Sequence, residues 1–420
     1  MRIIVLGAGV VGVAAAWELA RRGHAVTLIE RCPQAGMGVS AANGAQLAYS
    51  FVAPLASPDT LTKLPSLLIG RAAPTRLAPG ADPDFLRWSI AFLRACTHEK
   101  AAATTAAQLA LAALSRAELH ALTQEQKLDY GWRVAGKLIL YRKPASWAAA
   151  LRQMETQAKA GGAEQQALDP RQCLETEPNL KLRDSDLAGG VFTPSEEVGD
   201  CALFCRELAA RFAALPGARA LYGVEARRLV RRAGRVIGVE TGEGVVEADL
   251  VMLAAGAQAR ALARGLRLDL PIAPIKGHSI TVRPATGAAA PRVSVTDFER
   301  KIVYAPLTVD GEAMVRVAAF ADFVGDKPRA DPKRIARLLA LTQDTAALDL
   351  DGDVKPWAGL RPATPDSRPM IGPSPIPGLF LNVGFGGLGW TLACGAARLA
   401  ADLIDAVPPP VEPRWFALER

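Results

Sequence analysis

Two glycine-rich loops and one acid are the groups in this 420-residue chain whose spacing first suggests chemistry. The first loop, Gly7-Ala-Gly9-Val10-Val11-Gly12, follows the apolar run Ile3-Ile-Val-Leu6 without a break. In a strand–loop–helix unit Gly7 permits the tight turn, Gly9 lets the backbone approach a pyrophosphate, and Gly12 lets the helix pack on the strand. The N–H groups and positive dipole end of the next helix then favour phosphate. Glu30, with Arg31 beside it, closes the next apolar run 18 residues beyond Gly12 and can accept hydrogen bonds from a ribose. Alone, a GxGxxG also fits a glycine turn in other βαβ units. The ordered series of strand, loop, helix, strand and acid is what points to a dinucleotide.

These groups need elements to hold them. Residues 13–22 read as a helix stopped by Gly23, and residues 24–29 as a strand. Asp249-Leu-Val-Met-Leu-Ala-Ala255-Gly256 reads as a buried parallel strand meeting a ligand at its C-terminal end. The second loop, 384–389, lies between a strand at 378–383 and a closing helix at 390–405. Further helices are expected at 85–98, 101–128, 147–160 (capped by Gly161-Gly162), 201–214 and 330–342. Strands are expected at 130–142, 218–229, 235–241, 244–248, 275–283, 301–306 and 312–320. Residues 61–83 read as irregular connection with short helical turns. The expected fold class is α/β, with a nucleotide sheet assembled from residues 1–60, 195–270 and 356–405. An interleaved, mostly antiparallel substrate domain takes 61–194 and 271–355, and 406–420 is a proline-rich tail.

Half the residues are hydrophobic and 22% are charged, enough for a large globular core. The net charge of +7 fits a mildly basic surface, attraction to an anionic membrane, or steering of anionic substrates. Nucleic acid is not an expected partner: Arg227, Arg228, Arg231, Arg232 and Arg235 are not interleaved with aromatics, which total 6%. Six cysteines without a CxxC, and Cys201 and Cys205 without a histidine nearby, argue against zinc and suit reduced thiols in a cytoplasm. No metal constellation or nucleophilic triad is visible. The first strand occupies the place of a signal peptide, and 379–404 is too interrupted to span a bilayer, so any membrane contact is expected to be peripheral.

Longer segments carry a family resemblance. They are Ser40-Ala-Ala-Asn43-Gly44-Ala45-Gln46, Gly189-Gly-Val-Phe-Thr-Pro194, Val198-Gly-Asp-Cys201 and Pro274-Ile-Lys276-Gly277. Gly359-Leu-Arg361-Pro-Ala-Thr-Pro-Asp366, Leu379-Phe-Leu-Asn382 and Leu388-Gly389-Trp390-Thr391-Leu-Ala-Cys394-Gly395 complete the set. Over nearly its whole length the chain resembles the FAD-dependent D-amino-acid dehydrogenase family, within the amino-acid oxidase and glycine oxidase fold group. The resemblance implies a Rossmann-like FAD domain and oxidative deamination of a D-amino acid, or a related imino acid, to a 2-oxo acid and ammonia. Hydride leaves Cα for flavin N5, and electrons pass to a quinone or another carrier.

The same resemblance implies roles. Ser40, Asn43, Gly44 and Gln46 approach the flavin ring, and Val224 offers its backbone to the adenine. Ala255, Gly256, Gly386, Gly387, Leu388, Gly389, Trp390 and Thr391 complete the cofactor site. The second loop and its helix dipole stabilise negative charge on the reduced pyrimidine ring. A substrate carboxylate calls for an arginine fork, and Arg361 is the candidate; a structural ion pair with Asp366 is the competing role. His278 and Phe385 stand where the family often has tyrosine and histidine, and both are expected to line the substrate cavity. Lys276 is expected either to line the site or to be a solvated strand end. Three alternatives stay open: an oxygen-using oxidase of glycine, sarcosine or a cyclic imino acid; a nicotinamide dehydrogenase; and a non-catalytic dinucleotide-binding protein.

Overall fold

The computed structural model describes all residues except 59, 62–74, 78–81, 160–161 and 310. Most of the expected connection at 61–83 and the Gly161 part of the expected cap fall outside the described residues.

A six-stranded sheet runs in the order Met370–Pro373, Leu379–Val383, Leu250–Leu253, Arg2–Leu6, Ala25–Glu30, Arg219–Tyr222. Its pairs are parallel except the outer hairpin of 370–373 with 379–383. Side chains alternate across it. Ile3 and Val5 enter a core shared with helices Val10–Arg21, Cys201–Ala213 and Gly389–Ile404. Ile4 and Leu6 enter a second core, under the antiparallel meander Arg228–Arg232, Arg235–Thr241, Gly244–Glu247.

The two helices that follow the glycine loops are tied at their C-terminal ends. Arg22 binds Asp402 at 2.8 Å and Asp405 at 3.1 Å, and its Nε binds Glu18 at 2.7 Å. At Gly395 the helix Gly389–Ile404 presses on the alanine-rich helix His98–Gln126, where a Cβ would stand 2.7 Å from the Leu111 carbonyl oxygen. This clamp holds the two helix N-termini side by side: a Cβ on Gly389 would lie 3.9 Å from Val11 Cγ2.

A second sheet of eight strands is mostly antiparallel, in the order Lys355–Ala363, Ala273–Val282, Glu312–Asp322, Ile302–Val309, Ser294–Asp297, Lys137–Tyr141, Gly189–Thr193, Gln166–Leu168. One face packs Ile280, Val282, Val315 and Val317 against helix Pro332–Gln343. The other face looks toward the 40–46 loop. A small sheet of Gln46–Leu47, Glu197–Val198 and Arg133–Val134 joins this layer to the first.

Four expectations change. Residues 356–363 do not enter the nucleotide sheet; Lys355–Ala363 pairs along Ala273–Val282, so the third nucleotide-sheet segment starts at Met370. The strand expected at 218–229 breaks at Gly223 (φ +72°), where the backbone turns and Val224 N–H bonds the Glu30 carbonyl at 3.0 Å. The β-segment at 130–142 splits at Gly136 (φ +72°) into Arg133–Val134 and Lys137–Tyr141. The proline-rich tail folds back: Phe416 is fully buried, and Arg420 binds Asp366 at 2.9 Å.

Candidate active site

The first loop is shaped by steric necessity. Gly7 takes φ +102°, and a Cβ there would lie 2.8 Å from the Ala254 carbonyl oxygen. A Cβ on Gly12 would meet the Gly7 carbonyl oxygen at 1.8 Å, so this glycine lets the helix close on the strand. Gly9 faces only Ser40 Oγ, at 3.4 Å, and Ser40 Oγ accepts the Val10 N–H at 3.0 Å. The Val11 and Gly12 N–H groups stand in the first turn, where no intrahelical acceptor exists. Glu30 is braced by the N–H groups of Ala8 (2.7 Å) and Cys32 (2.9 Å), one on each carboxylate oxygen. Arg31 is exposed beside it.

The second loop meets the first. Gly256 and Gly386 have φ of +56° and +53°, with open space where a Cβ would stand. Gly386 N–H donates to the Pro362 carbonyl at 2.8 Å, and Leu388 N–H to the Phe385 carbonyl at 2.9 Å. The helix from Gly389 has no side-chain cap, so its first N–H groups face the same opening. Two helix starts with open first-turn N–H groups, a braced acid and Cβ-free loop walls fit a dinucleotide such as FAD, which Gly7–Gly12, Glu30 and 386–391 would hold.

The 40–46 loop is rigidly placed. Asn43 Oδ1 accepts the Ala45 N–H at 2.9 Å, and buried Arg316 donates to the Asn43 carbonyl at 3.0 Å and to Thr281 Oγ1 at 2.7 Å. A Cβ on Gly44 would face Val303 at 3.9 Å. Gln46 bonds Ser294 Oγ and accepts from Lys137 Nζ at 3.0 Å. Sequence reasoning missed both Arg316 and Lys137. Burial pushes the Lys137 pKa down to about 8, opposed by nearby Glu196. The available signal was a lysine opening the apolar strand Lys-Leu-Ile-Leu-Tyr.

Arg361 lies on the sheet face that looks toward this loop. Gly277 pairs with Gly359, Ser279 with Trp357 and Ile275 with Arg361, and cross-strand partners share a face. Ser279 Oγ donates to the Ala42 carbonyl at 2.7 Å, which fixes that face as the loop side. The guanidinium crosses Gly277, where a Cβ would sit 2.5 Å from Nη2, and Cδ passes 3.8 Å from the Cβ position of Gly387. Its Nη1 donates to the Phe320 carbonyl at 3.0 Å. Phe320 has φ +69°, at a bulge where Glu312–Asp322 carries one extra residue against Ala273–Val282. Such a φ is strained for a bulky residue, and here it delivers a carbonyl to Arg361.

The alternative role for Arg361 is excluded: Asp366 is taken by Arg368 at 3.0 Å and Arg420 at 2.9 Å. Asp322 is held by Arg334 Nε at 2.8 Å and by the Arg76 N–H at 2.9 Å. Among the described residues no carboxylate pairs with Arg361. Burial pulls its pKa below the usual arginine value, with Asp322 opposing. Lys276, the other strand-end candidate, is buried rather than solvated.

Two expected placements are corrected. His278 lies on the opposite face of its strand from Gly277 and Ser279. It is buried, its Nε2 accepts the Asp331 N–H at 3.2 Å, and its ring meets Phe320 edge-on. Strand alternation, not proximity in sequence, decides this. Phe385 packs into the core with the cofactor helices rather than facing Arg361. The Trp390 ring packs in that core, tilted against Phe204 and edge-on to Tyr130, so this residue offers the loop its backbone. Thr391 Oγ1 accepts the Ala48 N–H at 3.4 Å, linking the second loop to the 46–47 strand.

Burial lowers the His278 pKa to about 4; Lys276 and Arg334 add to this, and Asp322 and Asp331 oppose it. The unfolded chain therefore binds an extra proton between about pH 6.5 and the folded value, and stability falls as pH drops through that window. Replacing His278 with Gln is expected to remove about 2 kcal/mol of the stability lost between pH 7 and pH 5. Urea midpoints at pH 7 and pH 5 measure it, and an equal pH dependence in both proteins would refute it.

Fold and site together define a two-layer flavoprotein with a dinucleotide cradle and, above it, an arginine with which no acid of the described residues pairs. The chain belongs to the DAO family of FAD-dependent oxidoreductases, whose family description matches residues 2–403. It is 44% identical to D-amino acid dehydrogenase 2 of Ralstonia nicotianae, over 100% of both chains. It is 42% identical to D-amino acid dehydrogenase 2 of Pseudomonas aeruginosa, over 98% of this chain and 96% of that one. Among solved structures, glycine oxidase from Geobacillus kaustophilus superimposes with a TM-score of 0.78 at 22% identity, covering 100% of this chain and 99% of that one.

Proposed function

We propose that this FAD-dependent oxidoreductase oxidises a D-amino acid to the 2-imino acid, which water converts to a 2-oxo acid and ammonia. Its electrons pass to a quinone or another carrier. The observation that carries the reading is Arg361: a half-buried fork beside the cradle, paired with no acid among the described residues. FAD, when bound, supplies the two-electron oxidant. Arg361 binds the substrate carboxylate and fixes Cα above the cradle, and the Phe320 carbonyl holds the fork in place. The uncapped helix at Gly389 favours negative charge at the opening. The relatives named as D-amino acid dehydrogenases support the same substrate class.

Among the described residues no helix is long and apolar enough to cross a membrane. Leu86, Ile90 and Leu93 form an exposed stripe on helix Pro83–Ala95, with Arg87 and Arg94 along one flank, which supports peripheral contact with an anionic bilayer. Anaerobic mixing with D- and L-amino acids, glycine, sarcosine and prolines tests the substrate class. Bleaching of the flavin band by D-isomers is expected, and bleaching by none would overturn the reading. Turnover in air without an added quinone would favour the oxygen-using alternative.

A further inference from the structure

Gly277 and Gly359 are direct cross-strand partners on the face that carries Arg361, and each is covered by a side chain lying flat across it. Arg361 crosses Gly277. The Trp357 indole crosses Gly359, where a Cβ would stand 2.1 Å from Cη2 and 2.6 Å from Cζ2. Directly opposed positions of an antiparallel pair are about 5 Å apart, so indole and guanidinium lie side by side. Two missing Cβ atoms thus sink a cation and an aromatic plane into the sheet, forming one shallow slot. Resting on the role of Arg361 proposed above, we infer that the Trp357 indole is the wall against which the substrate side chain packs. The slot therefore selects D-amino acids with apolar side chains. With the carboxylate on the fork, the side chain leaving Cα runs onto the indole face. That face accepts hydrocarbon and gives a second charge no partner.

The test is the ratio of kcat/KM for D-leucine over D-alanine, measured with FAD content in the intact enzyme, Trp357→Ala, Trp357→Phe and Gly359→Ala. Trp357→Ala is expected to lower the ratio at least about tenfold, the discrimination typical of a lost apolar wall. Trp357→Phe restores part of it. Gly359→Ala leaves the indole in the chain but puts a methyl where the ring lies, so it is expected to lower the ratio as well. It also serves as the second probe if Trp357→Ala does not fold. An unchanged ratio at normal FAD content, or equal losses for both substrates, overturns the inference and gives Trp357 a structural role. If no amino acid reduces the unaltered enzyme, the proposed function falls first and the slot with it.

Discussion

Arg361→Ala should lose most of its kcat/KM while keeping its cofactor. Removing one partner of a desolvated, charge-assisted pair costs about 2–5 kcal/mol, or roughly 30- to 5,000-fold in kcat/KM. The loss should fall on every amino acid substrate alike, and mainly on apparent KM, because the carboxylate is bound in ground and transition states. FAD should be retained. Arg361 donates to the Phe320 carbonyl, and Asp322, the acid that acts on it electrostatically, keeps Arg334 and the Arg76 N–H, so no buried carboxylate is orphaned. Arg361→Lys should recover little, since an ammonium cannot reproduce a two-pronged fork. Steady-state kinetics beside flavin absorbance decide the matter; an Arg361→Ala protein within twofold of the unaltered enzyme would remove this residue from the site.

Gly12→Ala should fail more completely. Its Cβ would lie 1.8 Å from the Gly7 carbonyl oxygen and 3.0 Å from the Gly7 carbonyl carbon, and both atoms belong to the turn that forms the cradle. Neither the strand, paired on both sides, nor the helix, clamped through Arg22, can move away. Overpacking of this kind costs about 1–3 kcal/mol or more, and here the displaced backbone is the phosphate site itself. The expected product is a colourless protein with a lowered melting temperature. Gly9→Ala is the control: its Cβ meets only Ser40 Oγ, at 3.4 Å, so the fold should survive and the defect should appear in FAD affinity. A yellow Gly12→Ala protein with an unaltered melt would refute the argument.

Much of the cradle was legible because it is local. Gly7, Gly9, Gly12 and Glu30 lie within one strand–helix–strand unit, so their spacing along the chain determines their spacing in space. The sheet built from distant segments, the two uncapped helix starts and the family resemblance could likewise be read in the sequence. His278 and Phe385 were misplaced because a motif gives adjacency along the chain but not which face of a strand a residue takes. Lys137 and Arg316 escaped notice because each looks like an ordinary strand residue until the sheet buries it. The fate of Arg361 turned on the tail: Arg420, 54 residues beyond Asp366, shares that acid with Arg368.

The sequence by itself determined the strand–loop–helix unit, the α/β class and the family resemblance, because each is carried by short-range spacing or by a long shared motif. Tertiary structure alone decided which groups stand over the cradle. Register pairs Gly277 with Gly359, a one-residue bulge turns the Phe320 carbonyl toward Arg361, and remote acids are neutralised elsewhere, leaving the fork unpaired. These outcomes depend on contacts between segments far apart in the chain, and no local pattern encodes them.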